Sequence, residues 1–166
     1  MITVRKASQV DATFIAQHAH RLLDFKLPEW RKDEREDMVK ADIHHITKAL
    51  RTDDADDCVF IAEDETAKPI GFLRVVMQTD YYTGEQHAHV NDIVVITEAQ
   101  GKGAGKLLLE KADEWAEDRQ ARWITLNVFN ENFRARSVYE KAGYEIEWIK
   151  YLKHLKKIRI FTSQFH

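Results

Sequence analysis

Val95-Ile96-Thr97-Glu98-Ala99-Gln100-Gly101-Lys102-Gly103-Ala104-Gly105 is the stretch on which the fold turns. Residues 87–96 alternate as a strand does, and beyond the glycines Leu108, Ala112 and Trp115 recur at helical spacing. Strand, glycine loop and helix in that order set backbone N–H groups at a helix N-terminus, where the helix dipole favours an anion. Two common anion loops fail on spacing. A Walker loop aligned on Gly105-Lys106 needs a glycine at Gln100 and a hydroxyl at Leu107, so its magnesium ligand is missing. The dinucleotide pattern Gly-x-Gly-x-x-Gly has Lys106 where its third glycine belongs. What remains, flanked by Lys102 and Lys106, suits a pyrophosphate bound without magnesium, a group that coenzyme A carries.

Working outward, residues 1–6 alternate as a short strand, and Ser8 or Asp11 can cap a helix carrying Phe14, Ile15, Ala19, Leu22 and Leu23 that stops before Pro28. Val39, Ile43, Ile46 and Leu50 predict a second helix. The acidic run 53–57 reads as a solvated loop, and residues 58–63 and 70–78 as an antiparallel hairpin turning at Ala67-Lys68-Pro69. Downstream come a strand over 123–129, a helix over 131–142 stopped by Gly143, a strand over 144–151 and a last one at 157–161. A meander followed by strands alternating with helices predicts a mixed sheet covered by helices, an α/β layered fold.

The 166 residues carry 25 Lys plus Arg against 28 Asp plus Glu, a formal charge of -3, so no overall basic field draws the chain to nucleic acid or an anionic membrane. With 44% hydrophobic residues, only two prolines and no Ser/Gly/Pro-rich linker, one domain over 1–166 is expected. The N-terminus has no apolar leader core, and no stretch approaches the ~18 apolar residues of a membrane span, so a soluble cytoplasmic protein is expected. Cys58 is the single cysteine and sits in an apolar run, where a buried, inert thiol is expected. His87-Ala88-His89 lacks a cysteine or carboxylate cluster beside it, and adjacent His44 and His45 cannot share a helix face, so no metal is expected.

The glycine segment resembles the acyl-CoA loop of the GNAT superfamily of N-acyltransferases, Gln/Arg-x-x-Gly-x-Gly/Ala, filled here by Gln100, Gly103 and Gly105. Downstream, Asn132, Ala135, Tyr139, Gly143 and Tyr144 resemble that family's second signature, Asn-x-x-Ala-x-x-x-Tyr-x-x-x-Gly-Phe/Tyr. The resemblance covers roughly residues 58–151; the family's usual proline after the strand is Thr97 and its frequent arginine is Gln100, neither of which removes a backbone donor. It implies a mixed, mostly antiparallel sheet of about six to seven strands with splayed central parallel strands, flanked by about four helices.

The activity implied is acetyl transfer from acetyl-CoA to a primary amine, small-molecule or peptide, by direct attack in a ternary complex. The backbone of Ile93, Val94 and Val95 would pair with the pantetheine arm. Amides of residues 100–105, that is Gln100, Gly101, Lys102, Gly103, Ala104 and Gly105, would hold the pyrophosphate beside Lys106, and Asn132 would bond the pantetheine. A backbone N–H near Val94 or Val95 would polarise the thioester carbonyl. Tyr139 matches the family's general acid, and a phenol of ordinary pKa about 10 is protonated at neutral pH. Period-two alternation places His87, His89, Asn91, Ile93 and Val95 on one strand face and Asp92 on the other. His89, six residues before Val95 where several of the family carry a glutamate, is the expected base, with Glu85 and Asp92 as rivals. For the acceptor, Leu27-Pro28-Glu29-Trp30, Tyr81, Tyr82 and Trp148 offer an aromatic wall, and Glu29, Asp33 or Glu34 a pull on a cationic amine. A non-catalytic acyl-CoA-binding module of the same fold is the alternative. A homodimer is a family expectation, for which residues 151–165 offer an apolar, basic contact segment.

Overall fold

In the computed structural model, which describes residues 1–52, 54–153 and 155, five strands form one sheet ordered as they occur in the chain. β1 (Thr3–Lys6), β2 (Asp57–Glu63), β3 (Pro69–Thr79) and β4 (Gln86–Val95) run antiparallel to their neighbours, and β5 (Ile124–Leu126) lies parallel to β4. Helices α1 (Ala12–His18) and α2 (Arg35–Ala49) precede β2; α3 (Ala104–Asp118) follows β4, and α4 (Phe133–Lys141) follows β5. The first helix expected from the sequence is shorter than its apolar stripe, because residues Ala19–Leu23 tighten to a 3-10 turn.

β2 explains the layering. Its unbroken apolar run serves two cores at once, as strands buried on both faces do. Cys58, Phe60 and Ala62 pack with Leu108, Leu109, Ala112 and Trp115 of α3, while Val59 and Ile61 pack with Ile15 of α1 and Ile46 of α2. Burial of a side chain such as Phe72 or Leu108 contributes about 2 kcal/mol each. Arg5 of β1 grips Asp11 with two hydrogen bonds of 2.9 and 2.8 Å and Glu63 with a third of 2.7 Å, tying β1, β2 and the entry to α1 together.

Two departures from the sequence pattern shape the site. First, the β3–β4 register slips: Arg74 pairs with Asp92 but Val75 pairs with Val90, so Asn91 is an extra, bulged residue. A bulge reverses the alternation beyond it. Ala88, Val90, Ile93 and Val95 therefore all face α3, and Val94 faces α1 and α2. The expectation that His89 and Val95 share a face, with Asp92 opposite, is corrected by this one residue.

Second, there are fewer strands than the six to seven expected. Of residues 123–129 only Ile124–Leu126 pair, and residues 144–151 join no ladder among the described residues, leaving Ile146, Trp148 and Tyr151 exposed. An amphipathic pattern marks a segment fit for a sheet, yet a strand exists only where a neighbouring edge supplies its hydrogen bonds. The strand expected at 157–161 lies outside the described residues.

Candidate active site

β4 and β5 travel together only through Ala88, His89 and Val90, paired with Ile124, Thr125 and Leu126. Beyond that point residues 91–95 form one wall of a cleft of about 350 Å³ and residues 127–129 another. Met38 and Asp42 of α2 and residues 21–25 close a third side, and Asn132, Ala135 and Tyr139 a fourth. No described strand covers this edge of β4. Its polarity follows from two bonds: the Ile96 N–H donates to Ile70 of the β3 side at 3.0 Å, whereas the Val95 carbonyl accepts from the Gln100 side chain at 3.2 Å. Successive residues of a strand present their backbone groups to opposite edges. Val94 therefore spends its backbone on β3, and of the three expected residues Ile93 and Val95 face the open edge.

The glycine loop turns its backbone N–H groups free at the start of α3. Gly101 and Gly103 have φ of 75° and 92°, left-handed values that side chains resist, and Gly103 caps α3. The Gln100 N–H is taken by the Thr97 carbonyl at 3.2 Å, and the Leu107 N–H by Gly103 at 3.0 Å. Between them, the N–H groups of residues 101–106 donate to no acceptor among the described residues. Gln100 is thus removed from the expected set of backbone donors, its side chain serving instead to brace Val95. Lys102 beside the loop is exposed, and Lys106 pairs with Glu110 at 3.5 Å.

α4 is held at both ends. Asn132 Oδ1 accepts from the Ala135 N–H at 3.2 Å, leaving the amide NH2 of Asn132 to face the cleft that this residue lines. At the other end Gly143 turns left-handed, φ 91°, and the Tyr144 N–H bonds back to the Tyr139 carbonyl at 3.0 Å. This lock fixes the turn that carries the Tyr139 ring, which packs edge-on against Tyr144 with centroids 6.0 Å apart. Burial, and to a lesser degree the charge of Asp92, pushes the Tyr139 phenol up to about 12.

Asp92 joins Tyr139, Arg21, Asp24, Asp42 and Arg134 as a titratable group of the cleft wall. It is 8% exposed, faces the α1–α2 side because of the bulge, and has its carboxyl pushed up to about 7, chiefly by burial and then by the neighbouring Asp42. Arg74, directly opposite on β3, opposes the rise but only in part. Its guanidinium is committed to Asp57 through Nε at 2.9 Å and a terminal nitrogen at 2.8 Å, and stands 4.0 Å from Asp92. Burial also raises Asp42.

The remaining expected residues lie elsewhere. His89 is buried at the paired end of β4, its Nδ1 2.7 Å from the Thr125 hydroxyl, and it does not line the cleft; burial pulls its imidazole down, and His87 adds to the effect. His87 stacks on Trp123 at 5.6 Å. Glu85 is engaged by Arg122 at 3.2 Å. Tyr81, Tyr82 and Trp148 are exposed and, like Trp30, absent from the cleft walls, where Phe25 and Phe129 meet at 5.1 Å instead. Cys58 is buried, and burial raises its thiol. Among the described residues no three of His, Cys, Asp or Glu gather as a metal-binding group, and no helix is long and apolar enough to cross a membrane. Asp42 is the wall residue that sequence reasoning passed over. The signal was present, since Asp42 stands three residues after Val39 and four before Ile46, a carboxylate inside an apolar stripe.

Comparison with known proteins agrees with this geometry. The sequence profile of the acetyltransferase (GNAT) family matches residues 19–144. The chain is 29% identical over 144 residues to the uncharacterised N-acetyltransferase YhfO of Bacillus subtilis (strain 168), covering 87% of this chain and 90% of that protein. It is 26% identical over 146 residues to an aminoglycoside N(6')-acetyltransferase type 1 of Stenotrophomonas maltophilia, with 86% of each covered. Among solved structures, a mutant of BH1408 from Bacillus halodurans superposes with a TM-score of 0.74 at 20% identity, covering 93% of this chain and 99% of the other. AAC(6')-Iy in complex with the bisubstrate analogue CoA-S-monomethyl-acetylneamine superposes with a TM-score of 0.66 at 21% identity, over 93% and 99%. At these identities the structural likeness is one of fold.

Proposed function

The chain belongs to the acetyltransferase (GNAT) family and is an acyltransferase, and from that premise we propose that it moves an acetyl group from acetyl-CoA to the primary amine of a small cationic molecule by direct attack in a ternary complex. The observation that carries this reading is that Asp92, Tyr139 and the open edge of β4 line one cleft.

The N–H groups of residues 101–106, at the N-terminus of α3, receive the pyrophosphate, and the backbone of Ile93 and Val95 and the amide of Asn132 receive the pantetheine arm. The Ile93 N–H, at the end of the open edge farther from the glycine loop and beside Asp92, polarises the thioester carbonyl and steadies the oxyanion that develops there. Asp92 takes the proton of the incoming ammonium, directly or through water. With its carboxyl near 7 it is about half ionised at neutral pH, which suits a general base. Tyr139, protonated throughout this range, gives its proton to the departing thiolate. His89, without access to the cleft, is assigned instead to holding Thr125 and the paired ends of β4 and β5.

The acceptor class follows from charge. Asp24, Asp42 and Asp92 lie in the cleft wall with Asp57 behind them, against Arg21 and Arg134 of the same wall and Arg74; Arg21 stands 3.7 Å from Asp24 and Arg74 is taken by Asp57, so the patch at Asp42 and Asp92 stays net acidic. An ammonium is drawn into such a field. The relative that acts on aminoglycosides supports a small polyamino acceptor, and the CoA-derived analogue of the structural neighbour supports coenzyme A as carrier. The test is thiol release from acetyl-CoA across a panel of monoamines, diamines, amino acids, aminoglycosides and peptides. Release above hydrolysis with cationic small amines is expected; none with any amine refutes transfer, and preference for neutral or acidic amines refutes the acceptor class.

A further inference from the structure

The three carboxylates and one guanidinium on the α1–α2 face of the sheet pose a pairing question. Arg74 and Asp92 are direct cross-strand partners, with side chains 14% and 10% exposed, a placement in which opposite charges ordinarily join. Here they join only as a long ion pair of 4.0 Å, beyond hydrogen-bond range. Asp57 on the neighbouring strand takes the guanidinium with both oxygens, at 2.9 and 2.8 Å, using the Nε edge where a two-bond fork is strongest. We propose that Asp57 is a positioning residue: by clamping Arg74 it denies Asp92 a hydrogen-bonded ion pair, leaving the Asp92 carboxylate free to take a proton from the acceptor. This rests on the reading of Asp92 as the base.

The clamp works because it is a competition for one fork. Arg74 leans on β3 between Asp57 of β2 and Asp92 of β4, and Asp57, 18% exposed at its side chain, loses less hydration by pairing than Asp92 does. Among the described residues Arg74 is the cation that acts on Asp92, Arg21 and Arg134 lining the same cleft without measurably lowering its carboxyl. Asp42 approaches from α2 with His45 beside it, Tyr139 from α4, and His89 precedes it on β4, held by Thr125. Bound directly by Arg74, the same carboxylate would be ionised at all working pH and too weak a base to accept a proton from an ammonium.

The experiment follows the Asp92 carboxyl by carbon-13 NMR titration alongside the pH profile of kcat/KM, in the unsubstituted protein, Asp57→Asn and Arg74→Gln. In Asp57→Asn one oxygen of the clamp becomes an amide that repels the guanidinium, so Arg74 turns to Asp92. Both the carboxyl titration and the acid limb move down by about one pH unit or more. In Arg74→Gln the cation is gone and both move up. Because losing the Asp57 charge lowers Asp92 by itself, Asp57→Asn is also made in the Arg74→Gln background: the clamp acts only through Arg74, so the downward shift largely disappears there, and a shift as large as in the single variant overturns the clamp. An Asp92 titration unmoved in Asp57→Asn, or moved up, overturns the clamp. If the titration shifts as expected while Asp92→Asn keeps full activity, the clamp stands and the assignment of Asp92 as base falls.

Discussion

Replacing Asp92 by asparagine is expected to destroy activity and stabilise the fold in the same stroke. The side chain keeps its size in a site where it is 8% exposed, while the carboxyl that burial pushes up to about 7 loses its charge. In the proposed role of base, Asp92 goes from about nine-tenths ionised at pH 8 to about one-tenth at pH 6, so kcat/KM of the unsubstituted enzyme is expected to fall roughly tenfold between them. The asparagine variant falls about 10²- to 10⁴-fold at pH 8 and loses that limb. Stability moves the other way. A carboxyl raised in the folded state favours folding most below its ordinary value of 3.8, and that advantage is lost as pH rises through 7. Asparagine stays neutral throughout, so its stability relative to the unsubstituted protein improves by at most about 3 kcal/mol between pH 5 and pH 8. Thiol release at saturating acetyl-CoA gives the first quantity and urea unfolding at the two pH values the second. Full turnover at pH 8 in the variant, or a stability difference that is the same at pH 5 and pH 8, refutes the reasoning.

Tyr139→Phe is expected to lower kcat about a hundredfold or more with little change in acetyl-CoA affinity, measured by calorimetry, since the phenol acts on the leaving thiolate and not on the carrier. Gly103→Ala puts a side chain at φ 92°, costs about 1 to 2 kcal/mol locally, and is read as a roughly tenfold weaker acetyl-CoA Kd with kcat nearly kept. Gly71→Ala places a Cβ 2.7 Å from the Val94 carbonyl, so β4 must shift; a loss of about 1 to 3 kcal/mol in urea unfolding and a raised KM for acetyl-CoA are expected. Arg5 holds the Asp11 carboxyl below its ordinary range, so its contribution is present at neutral pH and lost as the solution is acidified through the lowered value. Asp11→Asn therefore destabilises by about 1 kcal/mol at pH 7, discounted because Arg5 is partly exposed, and by less at pH 3.

The features legible in the sequence are those whose physics is local. The glycines at 101 and 103 ahead of α3, the stop of α4 at Gly143 and the apolar stripe of Leu108, Ala112 and Trp115 are each settled within one turn of chain. The glycine loop and the helix bearing Tyr139 could thus be read from residue order, and with them the family. The four α-helices and the hairpin of β2 and β3 followed from periodicity in the same way. Where the reading went astray, pairing was the cause. Residues 144–151 alternate like a strand but join no ladder among the described residues, and the aromatic rings of the cleft wall come from Phe25 and Phe129, far apart in the chain, and not from Trp30, Tyr81, Tyr82 or Trp148.

Asp92 shows the division most sharply. From residue types alone, a histidine at position 89 looks better suited to neutral pH than an aspartate at 92, whose ordinary value is 3.8. Asn91 reverses that, because a bulge counts two residues on one strand against one on its neighbour and so exists only once β3 and β4 are paired. It turns Asp92 onto the face where α2 brings Asp42 and where Asp57 of β2 holds Arg74 aside. A proton affinity is set by burial and by charges a few ångströms away in space, and those neighbours come from three other elements. The order of residues was enough to show the glycine loop ahead of α3; only the assembled sheet decided that Asp92, and not His89, lines the cleft beside it.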